Sequence, residues 1–307
     1  PRLPLLQPAM TTTSASAITQ GRRRVESIRL VLRAQGIRAR ASGILRRSVP
    51  TNPPSRPTHD PARSDGSAGR SRIGWEVALA FSGSTAVAAA LYRVPALAAW
   101  FHAIVAAMFL YLPVVLLRRR DLGDYGLRLR PLGRNLVLAL VLVLLVFPPF
   151  IVGFAALQKL ACVASPLHAL AAGPCRPGGL FAHFALRLPP NLLDWHPGRN
   201  LLVAEIVVVA LPEEMFFRGY VQTRLAELWP SRRRLLGADV GVALVAGSAL
   251  FALCHLAVQG NPATLAVFFP GLVFGWLRAR SGSILPGVLF HALCNLFIET
   301  LNRSFFG

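Results

Sequence analysis

Seven apolar segments, at about residues 74–92, 95–117, 135–157, 199–226, 239–258, 262–279 and 283–303, dominate this chain of 307 residues. Each approaches the roughly 20 helical residues needed to cross a hydrocarbon layer of about 30 Å. A backbone in lipid must satisfy its own hydrogen bonds, so each segment is expected to be a helix. The expected fold is all-α: a polytopic transmembrane helical bundle of about seven helices. Composition agrees, with 54% hydrophobic residues, 15% charged residues and a mean hydropathy of +0.51.

In a soluble chain the net charge of +20 would suggest a nucleic-acid partner. Here the arginines cluster at the ends of apolar blocks, as anchors of cytoplasmic loops do, and the lipid bilayer is the expected partner in place of nucleic acid. Arg118, Arg119, Arg120, Arg128, Arg130 and Arg134 follow the second segment, and Arg232, Arg233 and Arg234 follow the fourth. Those loops and the N-terminus are therefore expected inside, and the C-terminus outside. The loop from Gln158 to Asn200 then faces outward and holds Cys162 and Cys175, either as a disulfide or as two thiols. Residues 1–72 are rich in Arg, Ser, Pro and Ala, a composition too poor in apolar surface to offset chain entropy, and are expected to form a disordered basic tail. No apolar stretch of export-signal type precedes Ile73. The chain begins with Pro1 and its first methionine is Met10, which leaves the true N-terminus open. The transmembrane domain is expected over residues 73–307.

Within the run LLVAEIVVVALPEEMFFRGY, residues 201–220, stand the adjacent carboxylates Glu213 and Glu214. An ionised side chain at membrane depth costs at least a few kcal/mol, so a pair implies a role, a partner or a wet cavity. On a helix Glu214 and Arg218 are at i and i+4 and form an ion pair that fixes helix orientation, whereas Glu213 is turned about 100° away and left free as the reactive carboxylate. Pro212 leaves the carbonyl of Val208 without its helical donor and invites a kink that admits water. His255 ends the run FALCH, and His291 and Asn295 sit one turn apart in HALCN. An imidazole exchanges protons near neutral pH and an amide donates and accepts hydrogen bonds. Together these groups are suited to activating water and stabilising an oxyanion.

The three runs PEEMFFRGYVQTRL, FALCH and HALCN, in that order, resemble those of the CPBP family of intramembrane proteases, which includes CAAX-processing and bacteriocin-processing proteins. The resemblance covers residues 201 to about 301, within a motif-bearing core at 199–303, and implies a helical bundle with a cavity opening toward the bilayer or one surface. It implies an endopeptidase in which Glu213 activates water and His255 positions it. His291 and Asn295 would stabilise the tetrahedral intermediate, with Glu214 and Arg218 in support. The short runs GYVQTRL and DYGLRL resemble the myxosortase branch of the family. The expected partner is a protein or peptide substrate that is membrane-associated or exported, and the expected location is a bacterial inner (plasma) membrane.

One Glu and two His would suffice for a catalytic zinc. No HExxH helix is present and the three come from separate segments, so a glutamate mechanism without cofactor is preferred, with a zinc-dependent variant as the alternative. Rival classes are a non-enzymatic immunity or scaffold protein of the same fold, which could dispense with Glu213, His255 or His291, and a transporter, which would show related halves. His102, Glu76, Glu205 and Glu299 lack company in sequence and are read as interfacial or helix-bridging. His168, His183 and His196 are read as solvated, Cys254 and Cys294 as packing residues, and Gly271 with Gly275 as a site of close helix approach. Helix lengths leave one conflict. His255 falls about 27 Å from its basic loop and His291 about 12 Å from the same side, yet both must meet Glu213.

Overall fold

The computed structural model describes residues 62–116, 123–128, 131–164, 166–167, 171–196, 198–231 and 233–307. The expected tail as far as residue 61, together with Arg118, Arg119, Arg120, Arg130, Arg232 and His168, lies outside the described residues. Helix α1 begins at Ala62, earlier than the boundary expected near residue 73, and runs to Arg93. After a single turn at Pro95–Ala98 come α2 (Phe101–Leu116) and α3 (Leu132–Val163). A continuous helix α4 covers residues 201–228. α5 (Val242–Gln259), α6 (Phe268–Ser281) and α7 (Leu285–Phe306) complete an all-α membrane bundle.

Among the described residues four helical stretches are long and apolar enough to cross a membrane: Gly69–Arg93, Leu132–Val163, Val242–Gln259 and Pro262–Ser281, with Phe101–Leu116 a shorter apolar helix. The chain is an integral membrane protein. α4 and α7 carry ionisable residues in the bundle interior, Glu205, Glu213, Glu214 and Arg218 on one and His291 on the other. α3 is the reverse case. Its Leu136, Leu140, Leu144, Leu145 and Val152 are exposed, as side chains facing lipid should be, and among its few buried residues are Ala139 and Ala161.

Two local departures from the expected helices have clear causes. The segment expected to start at residue 239 opens with a strand, β2 (Ala238–Val240), paired antiparallel to β1 (Arg233–Leu235). The two-residue turn between them, Leu236 and Gly237, has φ of 49° and 80°, the mirror-image turn that matches strand twist, so α5 begins only at Val242. In α4 the backbone widens to π-helix at Glu205–Ala210 and again at Met215–Val221. The N–H of Leu211 reaches the carbonyl of Ile206, and that of Gln222 reaches Phe217, both at i+5. The expected disturbance at Pro212 thus takes the form of two flanking π stretches, a feature frequent at functional sites.

Helix ends gather at two poles. At the basic pole Arg70 Nη2 donates to the carbonyl of Leu228 (2.6 Å), Arg278 Nη2 to Asp124 (2.9 Å) and Trp276 Nε1 to Leu235 (3.1 Å). At the far pole Arg93 Nη2 donates to the carbonyl of Ala257 (2.6 Å) and Arg176 Nη2 to that of Phe306 (3.0 Å). Cys162 and Cys175 form a disulfide at this far pole. The glycine pair works as close packing: a Cβ at Gly271 would lie 3.4 Å from Arg218 Nη2, and one at Gly275 would lie 2.9 Å from Gln222 Oε1.

Candidate active site

Glu214 and Arg218 are 0% and 1% exposed, the most deeply buried charges in the bundle core. Glu214 Oε1 lies 2.9 Å from Arg218 Nη1, an ion pair by distance whose angle is not that of a directed hydrogen bond. The guanidinium is further held by the Gly271 carbonyl (3.4 Å) and by the faces of Phe251 and Phe274, whose centroids are 4.1 and 4.9 Å from its carbon. The expected pair is therefore present. It does more than orient a helix, because Glu214 Oε1 also accepts from His291 Nδ1 at 3.1 Å.

That bond assigns the imidazole. A carboxylate can only accept, so Nδ1 carries a proton and Nε2 is the nitrogen left for chemistry. Nε2 lies 3.7 Å from Glu213 Oε2, too far for a hydrogen bond. The two adjacent glutamates thus meet the two nitrogens of one ring. Phe274 stacks on that ring, 4.7 Å between centroids at 17°, which fixes its plane. Glu213 Oε2 is buried and has no hydrogen-bond partner among the described residues.

A cavity of about 330 Å³ lies against these groups, and Glu213, His255, His291 and Asn295 all line it. The structure so brings to one cavity wall the four residues expected to be catalytic. His255 Nδ1 lies 3.0 Å from the carbonyl of Phe251, one turn earlier, which calls for an Nδ1–H and leaves Nε2 available to the cavity. Both imidazoles contact the Phe251 ring, at centroid distances of 4.5 Å for His255 and 5.9 Å for His291. The conflict of depth resolves here. Both histidines line the cavity that Glu213 also lines.

Glu205 was not legible as a site residue. It bridges helices, as expected, but its partner belongs to the candidate site: its Oε2 accepts from Asn295 Nδ2 of α7 at 2.9 Å. The signal was present as a third carboxylate on α4, two turns before Glu213, but π-helical winding between them spoils an α-helical phase calculation. His102 likewise has company, as it lines the cavity beside Gln259. Glu76 is helix-bridging, as expected: its two oxygens take Arg224 of α4 at 3.1 and 2.7 Å, and Tyr220 donates to it at 3.0 Å. Glu299 pairs with Arg303 at the surface. His183 and His196 are exposed, as expected. Cys254 lines the cavity as a buried residue. No cluster of three or more His, Cys, Asp or Glu placed to hold a metal ion occurs among the described residues.

A helical membrane bundle with a carboxylate and imidazole cluster beside an internal cavity defines the class as a polytopic membrane protein with an acid–base site. Residues 197–297 match the family model described as type II CAAX prenyl endopeptidase Rce1-like. That match, confined to residues 197–297 of the 307, agrees with the CPBP resemblance of the three motifs and does not extend to the myxosortase branch. No curated protein and no solved structure matches the chain.

Proposed function

We propose that this protein is an intramembrane endopeptidase that hydrolyses a peptide bond of a membrane-associated or exported protein, using water activated by Glu213. The observation that carries the proposal is the unpartnered, buried Oε2 of Glu213 on the cavity wall, 3.7 Å from an imidazole nitrogen. A buried carboxylate oxygen without a hydrogen bond is a costly arrangement, and it is a fitting acceptor for a proton from water held in the cavity.

In the proposed reaction, Glu213 takes a proton from a water positioned with His255 Nε2. The oxygen of that water attacks the scissile carbonyl, and the carbonyl π electrons move onto oxygen. His291 Nε2, when protonated, and the second N–H of Asn295 donate to that oxyanion. Collapse of the intermediate breaks the C–N bond, and Glu213 returns the proton to the departing amine. Glu214 and Arg218 hold His291, and Glu205 holds Asn295. This division of roles needs no metal, and activity is expected to persist in enzyme stripped of metal by exhaustive chelation. A bacterial plasma membrane is the proposed location, in keeping with the arginine-rich composition.

The test is a comparison of membrane and secreted proteomes from cells carrying the native chain and Glu213→Ala. Accumulated precursors in the variant identify the substrate. Undiminished processing by Glu213→Ala overturns the assignment of the base.

A further inference from the structure

We infer that the cavity opens on the face of the membrane opposite the arginine-rich loops, so that the substrate is a peptide segment presented at the outer, non-cytoplasmic surface. The substrate clause rests on the endopeptidase reading above; the orientation does not.

The cavity is built at the far pole. Its exposed rim residues are His102, in the first turn of α2, and Gln259, the last residue of α5; Val267, where the chain enters α6, lies beside them. These helix ends belong to the pole where Arg93 ties α1 to the end of α5. Glu213 and His291 form the deep end, both largely shielded, with side chains 19% and 6% exposed.

Beneath Glu213 the way to the basic pole is closed. Phe216, Phe217 and Tyr220, on the next two turns of α4, are 0%, 1% and 0% exposed. Phe216 stacks on Phe109 at 4.6 Å, Phe217 meets Phe251 edge-on at 5.0 Å, and Phe251 and Phe274 clasp the Arg218 guanidinium. This aromatic layer, close-packed around a buried ion pair, separates the reactive carboxylate from the arginine-bearing ends of the helices.

Two independent features assign the poles to sides. Arg128, Arg134, Arg233, Arg234, Arg278 and Arg280 mark the basic pole, and short loops rich in arginine stay in the cytoplasm. The Cys162–Cys175 disulfide marks the far pole, and such bonds persist in oxidising compartments. Both put the cavity mouth outside.

Single cysteines at Gln259 and at Arg234, each in the full chain carrying Cys254→Ala and Cys294→Ala, test this with a membrane-impermeant maleimide on sealed right-side-out vesicles. Q259C is expected to label without permeabilisation, and R234C only after it. Labelling of Q259C only after permeabilisation, or from neither aqueous side, overturns the orientation. The two readings fail separately. If Q259C labels from outside but Glu213→Ala cells accumulate no precursor, the endopeptidase reading falls and the orientation stands. If precursors accumulate with their uncleaved segment protected from protease added outside and digested only after permeabilisation, the orientation falls and the endopeptidase reading stands.

Discussion

Helix α4 carries two carboxylate–guanidinium clusters less than one helix length apart, and they are finished differently. Near its C-terminal end Arg224 spends all three of its guanidinium nitrogens, two on Glu76 and one on Glu227, while Tyr220 donates to Glu76. Glu76 comes from α1, so the cluster clamps two helices together. At the centre, Arg218 and His291 converge on one oxygen of Glu214, while Glu214 Oε2 and Glu213 Oε2 have no hydrogen-bond partner among the described residues. A complete network of charges explains itself as structure. An incomplete one, buried beside a cavity, holds acceptors in reserve for something that arrives.

Substitutions at the central cluster and at the clamp should separate along that line. The largest effect is expected from Glu213→Gln, which keeps the shape and removes the base: kcat falls roughly 100- to 10,000-fold, as for loss of a general base. Folded yield and thermal unfolding in detergent should match the native protein. A variant that fails to fold would make Glu213 a structural residue and erase the contrast.

Arg218→Ala should instead be a stability variant, because it leaves Glu214 buried without its counter-charge, at a cost of about 3–5 kcal/mol. The measurement is folded yield together with the midpoint of thermal unfolding. Activity per folded molecule should also drop, since the same carboxylate orients His291. Arg224→Ala breaks the completed clamp at the membrane's edge. Its partners are 21% and 29% exposed and water can replace part of what is lost, so a smaller cost of about 1.5–3 kcal/mol is expected. Its activity per folded molecule should be unchanged. Equal loss of catalysis in R224A and R218A would show that the two clusters are one network.

The helical frame was legible because lipid leaves the backbone few choices: among the described residues each apolar run is helical over most of its length. Glu213, His255 and His291 were conspicuous because ionisable residues in such runs are rare, and Asn295 because it sits one turn from His291. What escaped was everything set by partners distant in sequence. Glu76 looked solitary because Arg224 is 148 residues away, and Glu205 because Asn295 is 90 residues away. The pairing of Glu214 with Arg218 was visible as a spacing of four, but its third member, His291, arrives from α7. The short hairpin escaped because its turn, Leu236–Gly237, places a leucine where asparagine or aspartate is the usual signal.

Glu205 offers the finest test of the contrast, as it belongs to the central cluster but touches the cavity only through another residue. Its carboxylate takes one N–H of Asn295, which orients the amide and leaves the second N–H to donate to the proposed oxyanion. Glu205→Ala should leave the amide free to rotate and lower kcat about tenfold, equivalent to about 1.4 kcal/mol of transition-state stabilisation, with KM nearly constant. Glu205→Gln retains an accepting oxygen and should restore most of the rate. A purely structural role would act on unfolding temperature in both variants and leave kcat per folded molecule alone, as is expected for Arg224. A loss confined to KM would move Glu205 from the chemistry to the binding of substrate.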